Sequence, residues 1–241
     1  DFCLSRGLGD VYKRQVLAYL LPRQARNLPQ TDSFYGIGRG PDRAVLVEEP
    51  QDAFARRVEV IRTAQSTLDV CYHCVKSGET TECFFAELLR AADRGVRVRV
   101  LLDGTVGGLS GARSNIALAL RAHPNIEYRI YNPVDLLRPW EWNALLHDKF
   151  ILADDWMLLL GGRNIGDEYF APPGYEGAVT YDRDVLVLND LAGTPDSSES
   201  VTAQAKIYMD TLWDAPETDK FGTLSPCLLY TSDAADEEDS V

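Results

Sequence analysis

Across 241 residues, 37 acidic side chains outweigh 24 basic ones, for a net charge of −13 at pH 7. Non-specific nucleic-acid binding draws on basic surface, so this balance weighs against it while leaving room for a local basic patch. Of the five cysteines, Cys71, Cys74 and Cys83 lie away from the chain ends, and three thiols do not make a disulfide framework.

The first stretch has no protein-level logic. Residues 10–15, DVYKRQ, can be encoded by a DNA string whose reverse complement, read from its second base, encodes CLLYT and begins a serine codon; that run occupies residues 227–232. Both ends, with SRGLG at 5–9 and DAADE at 233–237, resemble translated transposon-type sequencing adapters. Residues 1–15 and 227–241 are therefore read as artefact and set aside, and both natural termini are expected to be missing. The roughly 210 residues between them suffice for one domain with a real core, and they remain net acidic.

Residues 16–43 read as a linker or a truncated N-terminal segment. The apolar run VLAYLLP at 16–22 is too short to span a bilayer, and is either the tail of a longer apolar segment or an ordinary coil or strand. The Gly and Pro residues that follow favour a linker.

A domain is predicted over residues 44–226. AVLVEE at 44–49 predicts a strand, and 51–65 a helix with Phe54, Val58, Val60 and Ile61 along one stripe. The β-rich run 67–74 is followed by a helix at 81–95, with Phe84, Leu88, Leu89 and Ala92 inward and Gly95 as its stop. VRVRVLL at 96–102 predicts the next strand. Cys71, His73 and Cys74 sit in the earlier strand without a second ligand pair at usable spacing, so they read as core residues rather than a zinc site. The glycine-rich loop at 107–113 has neither the Walker lysine nor dinucleotide spacing, and leads to a helix at 115–122. A strand at 126–131 precedes an irregular connection through Pro133, Pro139, Trp140 and Trp142, whose aromatics either line a lipid-facing mouth or pack the loop.

The chain then reaches LLHDKFILADDWMLLLGGRNIGDEYF at 145–170. His147, Lys149, Asp154, Gly161, Gly162 and Asn164 spell H-x-K-x4-D-x6-G-G-x-N, a pattern expected by chance on the order of once per 10^8 starting points. His147 and Lys149 are two apart in an apolar segment, so on a strand both project to one face and can share an anion. Asp154 and Asp155 supply turn chemistry, 156–160 reads as a buried return strand, and Gly161 with Gly162 lets backbone approach a ligand. An imidazole near its ordinary pKa of about 6.5 can attack phosphorus while lysine and asparagine donors stabilise the equatorial oxygens. Beyond lie the loop APPGYEG at 171–177, a strand at 184–188, and a helix at 197–213 with Val201, Ala205, Tyr208, Met209 and Leu212 on one side. Strands alternating with helices predict an α/β layered domain.

At these residues the sequence resembles the phospholipase D superfamily, whose signature is the HKD motif followed by a small-residue pair and asparagine; the extension GGRNIGDEYF is most similar to its bacterial cardiolipin synthase branch, C type. The resemblance covers about 44–213. It implies an αβ sandwich, a mixed sheet with helices on both faces, and a covalent phosphohistidine formed without metal or cofactor, with His147, Lys149, Asp154 and Asn164 as the catalytic residues of the motif. It further implies a phosphatidylglycerol-like phospholipid substrate, a membrane surface as partner, and a place at the bacterial cell membrane, peripheral or anchored by a segment this chain lacks. In such enzymes an acid after the motif orients the nucleophilic imidazole; Asp182 is the first choice here and Asp184 the second, both on one face of a strand, where the plainer reading is a pair of edge carboxylates.

One departure matters. His73 and His123 have no lysine two residues later, so the chain has one HKD motif and reads as the first catalytic half. The second would come from sequence not present or from another copy of the chain. The alternative is a single-motif phosphodiesterase or endonuclease active as a homodimer, against which the acidic charge and the GGRNIGDEYF extension both weigh.

Overall fold

The computed structural model describes residues 40–134 and 143–219. The adapter-like ends, the apolar run at 16–22 and the loop tryptophans Trp140 and Trp142 lie outside the described residues.

Alternating strand and helix signals become β1 (Asp42–Val47), α1 (Pro50–Thr63), β2 (Thr67–Tyr72), α2 (Glu79–Asp93), β3 (Arg97–Asp103), α3 (Ser114–Ala122) and β4 (Ile126–Tyr131). The hairpin β5 (Lys149–Ala153) and β6 (Met157–Gly161) follows, then the single turn α4 (Asp167–Phe170), β7 (Asp184–Asn189), α5 (Val201–Trp213) and a short β8 (Thr218–Asp219). The strands form one mixed sheet in the order β1-β7-β6-β5-β2-β3-β4-β8. Strands β2, β3 and β4 are parallel, as crossovers through α2 and α3 require, and every other pairing is antiparallel.

Both faces of the sheet are covered, and the sequence pattern follows from that. Leu68, Val70 and Tyr72 of β2 join the larger core beneath α1, α2 and α3, while Cys71 between them joins a second core with Leu101, Phe150, Met209 and Trp213 under α5. Strands buried on both faces read as continuous apolar runs, which is why KFILA in β5 does not alternate. Phe84, Phe85 and Leu88 of α2 are fully buried, each contributing about 1.5–3 kcal/mol.

Two helices differ from the predicted stripes. In α1 the buried positions are Pro50, Ala53, Arg57, Val60 and Ile61, so an arginine occupies the core where the sequence pointed to Val58. The physical reason is a carboxylate waiting beneath it, described below. Helix α5 starts at Val201, later than expected, because 195–199 forms a 3-10 turn and Ser200 caps the helix by accepting the N–H of Thr202 at 3.1 Å. Tyr208, placed on the apolar stripe by the sequence, instead donates its hydroxyl hydrogen to Asp148 Oδ2 at 2.8 Å.

Candidate active site

His147 lies two residues ahead of β5, at the end of the sheet where β2 and β3 finish. Lys149 opens β5 opposite Tyr72 of β2; on its other side the Phe150–Leu160 pairing puts Gly161 next to Lys149, and Gly161 pairs with Asp184. The two motif residues share the strand end but not its exposure: His147 is exposed, and Lys149 is 6 % exposed.

What covers Lys149 is an arch built by the GGRN corner. Although β5 separates β2 from β6, the segments leaving them meet above its start. Val75 bridges Ile165 in parallel, the N–H of Ile165 donates to Cys74 O at 3.1 Å, and that of Lys76 to Ile165 O at 2.9 Å. Asn164 Oδ1 accepts the N–H of Cys74 at 3.0 Å, and Asn164 Nδ2 donates to the Tyr169 hydroxyl at 3.2 Å. One of the two amide hydrogens of Asn164 remains for a ligand. Beneath the arch, Lys149 Nζ donates to the carbonyl of His147 at 2.5 Å.

The glycine pair serves the neighbouring strand. A Cβ on Gly161 would collide with the carboxylate of Asp184 and the carbonyl of Arg183, and a Cβ on Gly162 with the carboxylate of Asp182. Asp182 and Asp184 therefore both approach the motif, in different roles. Asp184 is fully buried and holds Arg57 Nη1 at 2.9 Å and Nη2 at 3.2 Å together with Arg163 Nη1 at 2.9 Å; Arg57 Nε also donates to the Tyr72 hydroxyl at 3.0 Å. This ion cluster braces the Arg163 of GGRN, so Asp184 is removed as an alternative orienter. Asp182 is exposed, accepts the N–H of Arg183 at 2.7 Å, and among the described residues makes no hydrogen bond to His147.

Asp154 is not brought to the site. It sits at the far end of β5 in a left-handed conformation, φ 52°, where its carboxylate accepts the N–H groups of Gln65, Ser66 and Thr67 at 2.8–2.9 Å. At about 3.3 Å per strand residue it is roughly 16 Å along the chain from Lys149. The HKD aspartate pins the loop entering β2; the expectation that it takes part in the chemistry is corrected by that geometry.

The charges favour a neutral imidazole at His147. The ammonium of Lys149 holds the His147 imidazole below its ordinary pKa, with burial and the ring of His73 adding to the effect and Asp148 and Asp103 opposing it. Burial in turn lowers the pKa of Lys149, against the pull of Asp148 and Asp182. Alongside, a groove of about 590 Å³ runs from Cys74, Lys76 and Ser77 past Thr105 to Arg113.

A family model described as "Cardiolipin synthase, PLD-like domain" matches residues 58–187, more than half of the chain. The chain belongs to the phospholipase D superfamily. It is 39% identical over 152 residues to cardiolipin synthase C of Escherichia coli, covering 59% of this chain and 31% of the relative. It is also 29% identical over 164 residues to a cardiolipin synthase of Geobacillus thermodenitrificans, 65% of this chain and 32% of the relative. This phospholipase D-like chain thus spans about a third of the length of these curated relatives. Among solved structures, NucT from Helicobacter pylori superposes with a TM-score of 0.57 at 15% identity, covering 75% of this chain and 99% of that one. The phospholipase D family member Nuc from Salmonella typhimurium gives 0.54 at 15%, covering 76% and 99%. These confirm the phospholipase D-like α/β fold.

The structure brings to His147 two residues that the sequence did not place there. His73, set aside as a metal ligand for want of a second ligand pair and as a second motif for want of a following lysine, has its ring centroid 4.5 Å from that of His147. Asp103, the residue after the predicted strand 96–102, is buried and accepts the N–H of Leu146 at 2.8 Å and those of Thr105 and Val106 at 2.9 and 3.1 Å. Their common signal is position: both fall at the C-terminal ends of parallel strands, where open α/β sheets bind ligands.

Proposed function

We propose that the chain carries the nucleophilic half-site of a phosphatidyltransferase acting on phospholipid phosphodiesters, cardiolipin synthase-like, with His147 as the nucleophile. The supporting observation is an exposed imidazole, held neutral, beside a buried ammonium and an amide with one hydrogen to spare. A ring nitrogen of His147 attacks phosphorus, an N–P bond forms, the bond to the departing alcohol breaks, and that oxygen leaves with the electron pair. Lys149 and Asn164 stabilise the negative charge on the non-bridging oxygens. An acceptor hydroxyl then attacks phosphorus and displaces His147, giving its proton to the conjugate base of the acid that protonated the departing oxygen. Asp182 is the proposed orienter of the second ring nitrogen, a contact to be made with substrate in place.

The departing alkoxide needs a proton from the side of phosphorus opposite His147, which in this reading comes from a second HKD half or a second copy of the chain. The substrate class is a phosphatidylglycerol-like lipid met at a membrane surface, and the proposed location is the bacterial cell membrane. No helix among the described residues is long and apolar enough to cross a membrane.

The full chain should be assayed on phosphatidylglycerol vesicles and on a generic phosphodiester while its mass in solution is recorded. The half-site reading expects no appreciable turnover by the monomer. Robust turnover by a verified monomer, abolished in His147→Ala, would sink it; turnover confined to a dimer and to non-lipid esters would favour the homodimeric phosphodiesterase or nuclease.

A further inference from the structure

Among the described residues no hydrogen bond holds the His147 ring, yet a nucleophile must present one nitrogen in a fixed direction. The group that touches this ring is a second imidazole. His73 leaves the end of β2 and lies against His147 with centroids 4.5 Å apart and planes tilted by 51°. Its Nδ1 is 2.8 Å from the carbonyl oxygen of Leu146, the residue directly before His147. A carbonyl only accepts, so Nδ1 carries the hydrogen, and in the neutral ring Nε2 is the bare nitrogen. The other side of the same residue is held as well, since Leu146 N–H donates to Asp103 Oδ2 at 2.8 Å. The backbone leading into the nucleophile is therefore clamped at both its N–H and its C=O.

We propose that His73 is a positioning residue for His147, holding the nucleophilic ring from its flank and fixing the peptide that carries it through the Leu146 carbonyl. The proposal rests on the reading of His147 as the nucleophile. His73 is not the missing acid. Rings 4.5 Å apart leave no room for a phosphoryl group between them, whereas the leaving oxygen must be met across phosphorus from the attacking nitrogen.

The pair is also electrically linked. The groups facing the two rings are Lys149 and Asp148 on the β5 side, Asp103 at the end of β3, and beyond Asp148 the hydroxyl of Tyr208 from α5. A proton on His73 works against one on His147, so removing His73 lets His147 take up its proton at higher pH.

The chain contains three histidines, so long-range proton–nitrogen NMR of the 15N-histidine-labelled full chain resolves each ring, and His123→Gln assigns the remote one. In its neutral form His73 is expected as the Nδ1–H tautomer, the minority form of free histidine. Two variants separate its functions: His73→Asn keeps a donor for the Leu146 carbonyl without ring or charge, and His73→Phe keeps a ring without donor or charge. In both, the His147 titration is expected to move up in pH, and in His73→Phe its signals are expected to broaden as the clamp is lost. An Nε2–H tautomer at His73, or His147 titrating identically in wild type and both variants, overturns the proposal. If neither variant folds, the wild-type tautomer still decides it. Failure of the nucleophile reading shows separately, as activity retained by His147→Ala with the His73 tautomer unchanged.

Discussion

Arg57 and Asp184 meet through paired hydrogen bonds of 2.9 and 3.2 Å, with side-chain exposures of 2 % and 0 %, on the strand one removed from the strand that carries Lys149. Two residues away, Asp182 lies in solvent against Gly162. The two carboxylates expected on one strand are thus divided, Asp184 opening β7 and holding the fold while Asp182 lies before the strand on the side of the motif.

That division predicts opposite phenotypes. Asp184→Ala leaves two buried guanidinium groups short of their counter-ion and is expected to cost about 3–5 kcal/mol in urea unfolding. Asp182→Ala is expected within about 0.5 kcal/mol of wild type, with the loss appearing in reaction at His147 instead. Equal stability losses in the two variants would contradict the assignment.

Asp154 provides a second separation of structure from chemistry. Its carboxylate collects three backbone N–H groups, so Asp154→Ala is expected to lower stability by about 1–3 kcal/mol while leaving reaction per folded molecule unchanged. Asp154→Asn, which tolerates the left-handed backbone and keeps one acceptor, should fall between them. Loss of reaction in folded Asp154→Asn would return this residue to the chemistry.

Much of this was legible from residue order. Strand β4 falls at the predicted 126–131, and α2, β3 and α3 lie within two residues of their predicted ends, because apolar runs bounded by Gly, Pro and Asp report local pairing. The H-x-K spacing likewise marked the strand end that His147 and Lys149 share. What stayed hidden depends on contacts distant in sequence: the burial of Arg57 needs Asp184, 127 positions later, and the approach of His73 to His147 needs β2 beside β5. Periodicity ranks an arginine as surface and a lone histidine in an apolar strand as core, and tertiary pairing overrides both. Asp154 was misplaced by the opposite error, since a shared motif does not put its members at one end of a strand.

The pH dependence of the site follows from Lys149. A cation beside an imidazole disfavours the imidazolium, so the His147 pKa is depressed and reaction should persist below the pH at which an ordinary histidine is lost, falling only as pH drops through the lowered value. Lys149→Met removes that cation; the acid limb should move to higher pH, with a rate loss on the order of 10^2–10^3 from missing charge stabilisation. An acid limb unmoved by the substitution would show that Lys149 does not set the protonation of His147.

Asp167 of the GDEYF extension ties the motif to α2. Its carboxylate accepts the N–H groups of Glu79 and Thr80 at 3.2 and 2.9 Å and the Thr80 hydroxyl at 2.5 Å, closing the first turn of that helix. Burial raises its pKa, but the Thr80 and Glu79 hydrogen bonds outweigh it and the net shift is downward. A depressed carboxylate pKa gives stability that is present above the unfolded value of about 3.9 and is lost as pH falls through the folded one. Asp167→Asn is therefore expected to cost about 1 kcal/mol at neutral pH, with the gap to wild type narrowing in acid. A gap independent of pH would contradict the capping role.

The central claim, that His147 is the nucleophile, can be tested without the second half-site. An activated diester such as bis-p-nitrophenyl phosphate releases a phenolate stable as an anion, so no acid is required at the leaving oxygen. Mixed with the full chain, it should release a burst of nitrophenolate of about one equivalent per site, and mass spectrometry of the quenched protein should place an acid-labile phosphoryl adduct on the peptide containing His147. His147→Ala should show neither. An adduct on any other residue, or an undiminished burst from His147→Ala, would contradict the account.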